Sequence, residues 1–162
     1  MIGAIDALWR IGLRVAYLLL RGWWAIRRPE THGAHLAVWR GDSLLLIRNS
    51  YRNGESVPAG RIGRGEDPAA AAARELWEEV RLEVPQAALV PAGIHCVDFE
   101  GKRDHAHFFE WSAPLDAAPV PDHREVTEVL WVPAGELSTR ALLPHTRAYL
   151  RARGGVGTRS PE

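Results

Sequence analysis

The chain has one cysteine, no surplus of either charge and no long uncharged apolar run, and each shortage excludes a class of protein. A lone Cys96 permits neither an intramolecular disulfide nor a cysteine-based zinc site, and it fits a reducing, cytoplasmic setting. An unpaired cysteine behaves as a small apolar side chain, so Cys96 is expected in the core. Lys and Arg number 20 and Asp and Glu number 20, so total charge gives no reason to expect nucleic acid as a partner. The 162 residues suit one domain with a real core, and 46% apolar with 25% charged residues is a soluble globular composition. No internal repeat is evident.

Charge is uneven along the chain. Residues 1–30 hold five Arg against Asp6 and Glu30, a net of +3, and the remainder carries −3. This opening segment is apolar, yet neither a signal peptide nor a span is expected. Asp6, Arg10 and Arg14 interrupt it, and the uncharged run at 15–20 is far short of the roughly 20 residues a span needs. At 100° per residue, Arg10, Arg14, Arg21 and Arg28 fall on one narrow stripe, and Trp9, Trp23 and Trp24 belong to the apolar remainder. The pattern predicts an amphipathic helix over 1–29, ended by Pro29. Such a helix needs cover. It packs on the domain, pairs with a second subunit, or lies on the inner surface of a membrane with Arg and Trp at headgroup level.

Downstream, "AHLAVWR" and "SLLLIRNSY" read as strands joined by a tight turn at Gly41-Asp42. "ESVPAGRI" reads as a short strand and turn, and 68–81 as a helix. "LVPAGIHCVDFEG" and "DHAHFFEWSAP" form a hairpin around Gly101-Lys102. "EVTEVLWVP" is a further strand, "AGEL" with "LPHTRAYLRAR" a closing helix, and 153–162 a disordered tail. Strands on both sides of a central helix predict a mixed α/β or α+β sandwich over 33–152.

The 68–81 helix carries the chemistry. Asp67 suits the N-cap and Pro68 the first helical position. Ala69, Ala72, Ala73, Leu76 and Val80 form an apolar face, and Glu75, Glu78 and Glu79 share another. Taken alone, such a charge run describes a solvated surface with Arg74 paired to Glu78. The upstream glycines Gly60, Gly63 and Gly65, with Glu66 before the cap, point elsewhere. They let backbone groups approach a metal or phosphates, and clustered carboxylates favour a hard divalent ion, Mg²⁺ or Mn²⁺.

The spacing Gly60, five residues, Glu66, seven residues, Arg74-Glu75-Leu76-x-Glu78-Glu79 resembles the box of the Nudix hydrolase family, and Leu82 matches its last position. The resemblance covers most of 33–152 and leaves the N-terminal helix outside. It implies an α/β/α sandwich with a mixed central sheet. It also implies metal-dependent hydrolysis of a nucleoside diphosphate linked to another group, by water attack at phosphorus. By position, Glu75, Glu78 and Glu79 would bind Mg²⁺ or Mn²⁺, with the Gly60 carbonyl as a further ligand. Arg74 would orient the glutamates, and Glu66 would support the loop. The base would be a box glutamate or a later one, Glu125 or Glu128. Two positions depart from the pattern: Arg81 replaces the box glycine, and Gly63 stands where a glutamate is frequent. Arg81 either adopts a left-handed exit at a cost of about 1–2 kcal/mol or lets the helix run on. Arg81 is expected to perturb how the helix ends, so Arg81→Gly is expected to raise stability with little change in metal binding.

Other candidates carry less chemistry. His105 and His107 alternate on one strand face and, with His95, read either as a metal pair or as a polar sheet face. Arg48, Arg52, Arg61 and Arg64 could hold phosphates, and Tyr51, Trp39, Phe108 and Trp111 could stack on a base or pack in the core. The partner expected is a nucleotide-type small molecule. The rival reading is a catalytically weak Nudix-fold binding module at a membrane surface.

Overall fold

Period-two alternation along the strands sorts apolar side chains onto two sheet faces. The protein is described by a computed structural model over residues 4–154. Of the tail expected at 153–162, only the first two residues fall within that range, as a turn.

The central strand is β1 (Glu30–Arg40), which runs parallel to β6 (Lys102–Ser112) from Glu30↔Arg103 to Trp39↔Ser112. On its other side β1 pairs antiparallel with β4 (Ala59–Arg61) near its start and with β2 (Ser43–Asn49) near its end. β2 also pairs with β3 (Glu55–Ser56) and β7 (Val126–Pro133), and β5 (Val90–Phe99) closes the far edge on β6. The sheet is therefore mixed and seven-stranded.

On one face, Ala34, Leu36 and Val38 of β1 with Leu45 and Ile47 of β2 pack on Ala71, Ala72, Leu76 and Val80 of α2 (Pro68–Val80). On the other, Ala37, Trp39, Leu44, Leu46 and Phe108 pack with Tyr149 and Leu150 of α3 (Pro144–Ala152). Each large apolar side chain so buried is worth about 1.5–3 kcal/mol. The α/β/α sandwich with a mixed sheet is the architecture expected.

Local differences have physical causes. β1 begins at Glu30, before the apolar run, because β6 offers its polar start main-chain partners from Arg103 onward. The β5–β6 turn is centred on Glu100 and Gly101, both with positive φ, one residue earlier than the expected Gly101-Lys102. A two-residue hairpin needs both central residues in that region. Cys96 is exposed, not buried. It sits on the edge strand β5, with its sulfur 3.2 Å from His105 Nδ1.

The N-terminal helix α1 (Ala4–Arg27) ends where Pro29 predicts, with Arg28 at φ 43°. It meets the domain through few groups. Arg14 Nε donates to the Ser50 carbonyl at 2.9 Å, and Arg52 Nε donates to the Tyr17 hydroxyl at 3.1 Å. The Lys102 ammonium lies 4.7 Å from the Trp24 ring centre. No described helix is long and apolar enough to cross a membrane.

One buried carboxylate ties the sheet to α3. Asp104 accepts from the Thr31 hydroxyl at 2.7 Å and from Lys102 Nζ at 3.1 Å, and His145 Nε2 lies 3.2 Å away. Burial pushes this carboxyl up, but His145, Thr31 and Lys102 outweigh it and hold it well below the ordinary 3.8. A depressed native value gives stability that is present above the unfolded value and lost as pH falls through the folded one. Asp104→Asn should therefore cost about 1–3 kcal/mol near neutral pH by denaturant unfolding. The gap to wild type should close in acid, below 3.8. A gap that stayed constant in acid would contradict this role.

Candidate active site

α2 is fixed at both ends, and its ends position the site. At its start, Asp67 accepts from the amides of Ala69 and Ala70, each at 3.0 Å, as its sequence predicts. At its end, Arg81 takes the left-handed exit at φ 57°. The arginine side chain makes a contact the sequence did not announce: Nη1 donates to the Trp77 carbonyl at 3.2 Å, and the guanidinium sits 5.2 Å from the Trp77 ring centre. The last carbonyls of α2 are capped by the loop before β7. The Val120 amide donates to Val80 and the Asp122 amide to Glu79. Asp122 then folds its carboxylate back to accept from the amides of Arg124, Glu125 and Val126 at 3.2, 3.1 and 2.8 Å. This pins Glu125 beside the helix.

The glycine loop closes the arrangement. A Cβ on Gly60 would lie 1.9 Å from the Glu75 carboxyl carbon, so only glycine admits that side chain. Glu66 accepts from Arg74 Nε at 2.9 Å and Nη2 at 3.1 Å, and from the Gly63 amide at 2.6 Å. A side chain at Gly63 would begin 3.0 Å from that same carboxylate. Arg74 Nη1 donates to Glu75 at 2.6 Å and reaches Glu78 at 3.5 Å. Glu79 is 4% exposed and accepts from the Ala59 amide at 2.9 Å. The single acidic face expected is thus divided: Glu79 is buried, Glu78 exposed. Ala71, missing from the predicted apolar face, is fully buried.

Glu75, Glu78, Glu79 and Glu125 line one cleft of about 690 Å³, within the range of small-molecule sites. Glu128 does not reach it, because Arg48 Nη1 holds it at 2.6 Å. Tyr51 donates its hydroxyl to Glu125. Burial pushes Glu75 up against the pull of Arg74. Burial pushes Glu79 up much further, and Glu125 and Glu75 add to it. Among the described residues, no three His, Cys, Asp or Glu side chains already converge as a metal-holding group. The donor chemistry nevertheless fits a divalent cation: crowded carboxylates, some raised by burial and by each other, favour a hard ion that offsets their charge.

Arg52 and Arg61 line the cleft. Arg48 is bound to Glu55 and Glu128 instead, and Arg64 lies outside the lining. Trp39 and Phe108 are core residues and Trp111 packs against the core, whereas Tyr51 reaches the cleft. His105 and His107 do not pair. His32, across the strands, stacks on His105 at 4.8 Å and places Nδ1 3.2 Å from His107 Nε2. His95 turns edge-on to Phe108 instead.

Sequence reasoning missed His35, Asp104 and His145, which also line the cleft. Burial, then His145, brings His35 down to about 3, so it stands neutral there. It missed Leu20, Trp23 and Trp24 of α1 as cleft wall too. Asp122 had a readable signal, an aspartate ahead of polar residues at the start of a strand.

Sandwich, glycine loop and glutamate-bearing helix together define a Nudix-type fold. The family model for the NUDIX domain matches residues 30–153, and the chain belongs to that family. Among solved structures, it is similar to a MutT NUDIX hydrolase from Burkholderia pseudomallei, at 19% identity and TM-score 0.69, over 76% of this chain and 97% of that one. It is similar to a MutT protein from Methanosarcina mazei Go1, at 19% identity and TM-score 0.67, over 78% and 95%. A C. elegans Ap4A hydrolase is similar at 21% identity and TM-score 0.59, over 76% and 95%. No curated protein matches the chain.

Two substitutions test the local physics. Gly60→Ala should cost about 1–3 kcal/mol in chemical unfolding, because the methyl displaces Glu75. At position 81, glycine relieves about 1 kcal/mol of strain but forfeits an exposed cation–π contact of about 0.5–1 kcal/mol. Arg81→Gly should therefore stay within about 1 kcal/mol of wild type, while Arg81→Ala, which keeps the strain, falls below both. An alanine variant as stable as the glycine one would exclude strain at this exit.

Proposed function

We propose that the protein is a metal-dependent Nudix pyrophosphohydrolase that cleaves a diphosphate linkage in a nucleoside diphosphate joined to another group. The observation that carries this reading is one cleft lined by Glu75, Glu78, Glu79 and Glu125 together with Gly60, against which Glu75 packs. Glu75, Glu78 and Glu79, with the Gly60 carbonyl, would hold Mg²⁺ or Mn²⁺. The ion supplies charge neutralisation at the phosphates and lowers the pKa of water. Arg74 keeps the glutamates oriented through charge-assisted hydrogen bonds. Glu125, held by Asp122 and Tyr51, is the candidate to take the proton of the attacking water. Arg52 and Arg61 are the cleft cations that would meet phosphate oxygens. The name of the C. elegans relative, an Ap4A hydrolase, fits a nucleotide-type substrate.

The test is release of mononucleotide or phosphate from nucleoside triphosphates, ADP-ribose, dinucleoside polyphosphates and sugar nucleotides, with and without Mg²⁺ or Mn²⁺. Glu78→Gln should lower kcat/KM by about 10²–10³-fold on whichever compound is turned over. Equal inertness of wild type and variant across the panel would remove the enzyme reading. Glu79→Gln gives a second readout. It deletes a buried charge that folding disfavours, so the metal-free protein should melt at a higher temperature. The rise in Tm that Mn²⁺ produces in wild type should vanish in the variant. A variant that Mn²⁺ still stabilises fully would remove Glu79 from the metal set.

A further inference from the structure

α1 presents the wrong face to water. Leu8, Ile11, Val15, Leu18, Leu19 and Ile26 are 53–80% exposed. At 100° per residue they occupy one sector of the helix about 100° wide. Tyr17 and Trp24, which touch the domain, lie on the opposite side. So the apolar sector is not what attaches α1 to the sandwich. The arginines flank it: Arg14 and Arg21 border one edge, and Arg27 stands beyond the other.

What covers this sector is settled by charge. Past Asp6, α1 carries only basic charges, Arg10, Arg14, Arg21 and Arg27. A symmetric pair of helices packed through the sector would bring the same arginines of both copies together, because a two-fold interface meets itself. An anionic lipid surface instead sets negative headgroups beside the basic edge at Arg21 and gives the six aliphatic side chains the acyl boundary, while Arg14 holds the helix to the Ser50 carbonyl. Trp9 and Trp23, 53% and 56% exposed, suit the headgroup layer. No described helix is long and apolar enough to cross a membrane, so a bilayer would be met along the length of α1.

We propose that α1 docks lengthwise on an anionic lipid bilayer through Leu8, Ile11, Val15, Leu18, Leu19 and Ile26. Leu20 and Trp23 carry the apolar surface from that face round to the cleft, which they line with the carboxylates. Docking therefore sets the cleft rim beside the lipid headgroups. None of this depends on the metal or the substrate.

The test is flotation of the full chain with phosphatidylcholine vesicles, with and without phosphatidylglycerol. The protein should float with the anionic vesicles, bind pure phosphatidylcholine about tenfold more weakly, and be released by high salt. Leu18→Glu, whose side chain touches no part of the cleft, should lose flotation while near-ultraviolet circular dichroism keeps the wild-type spectrum. The wild-type contrast between vesicles decides the matter even if that variant folds poorly. Failure of wild type to float with anionic vesicles would overturn the proposal. So would a dimer in sedimentation equilibrium that Leu18→Glu dissociates, since a second copy would then cover the sector.

Discussion

One guanidinium holds the site together. Arg74 binds Glu66 through two nitrogens, Glu75 and Glu78 through a third contact group, and the Arg61 carbonyl through Nη2. It thereby joins the helix to the glycine loop that faces it. Without this cation, four carboxylates would crowd one end of α2 with little to oppose their repulsion. The planar fork of arginine can serve several oxygens in fixed directions, which the single ammonium of lysine does not. The positions of the other groups follow: Glu66 can turn back on the Gly63 amide, and Glu75 can lie against the bare backbone of Gly60.

The arrangement conflicts with the rest of the fold. A core helix is most stable with an apolar residue at each buried position, yet α2 buries Glu79 next to Leu76 and Val80. Among the described residues its carboxylate accepts from the Ala59 amide, and burial outweighs that bond. Local order that works against stability concentrates where function needs it. The left-handed Arg81 is a second, smaller strain at the same end of the same helix.

What was legible in the sequence was whatever lies within one element or a fixed short gap. The cap at Asp67, the strand alternation and the spacing from Gly60 through Glu79 could be read from neighbours in the chain, whereas at Arg81 the sequence left two helix ends open, of which the left-handed one forms. Contacts between distant segments could not be read this way. His35 and His145 stack at 5.2 Å although far apart in sequence, and no periodicity joins them. The pairing of His32 with His107 depends on the parallel register of β1 and β6, which a list of strands does not specify. Cys96 is apolar by type, but its exposure depends on lying in an edge strand. For α1, the helical wheel gave Arg14 and Arg21 on one side of a largely apolar helix, but Arg28, expected on the same stripe, falls past the helix end. The wheel could not say which side turns toward the domain.

The Asp122 turn separates two jobs within one connection. Val120 and Asp122 anchor to the end of α2, and the Asp122 carboxylate dictates only the next four residues, which include Glu125. The stretch 114–119 before that anchor is largely exposed and has no part in aiming the glutamate. Nature can therefore lengthen, shorten or rewrite it without disturbing the carboxylate beyond. The fold thus has a place where new recognition can be grafted beside old chemistry, and the two can evolve at different speeds.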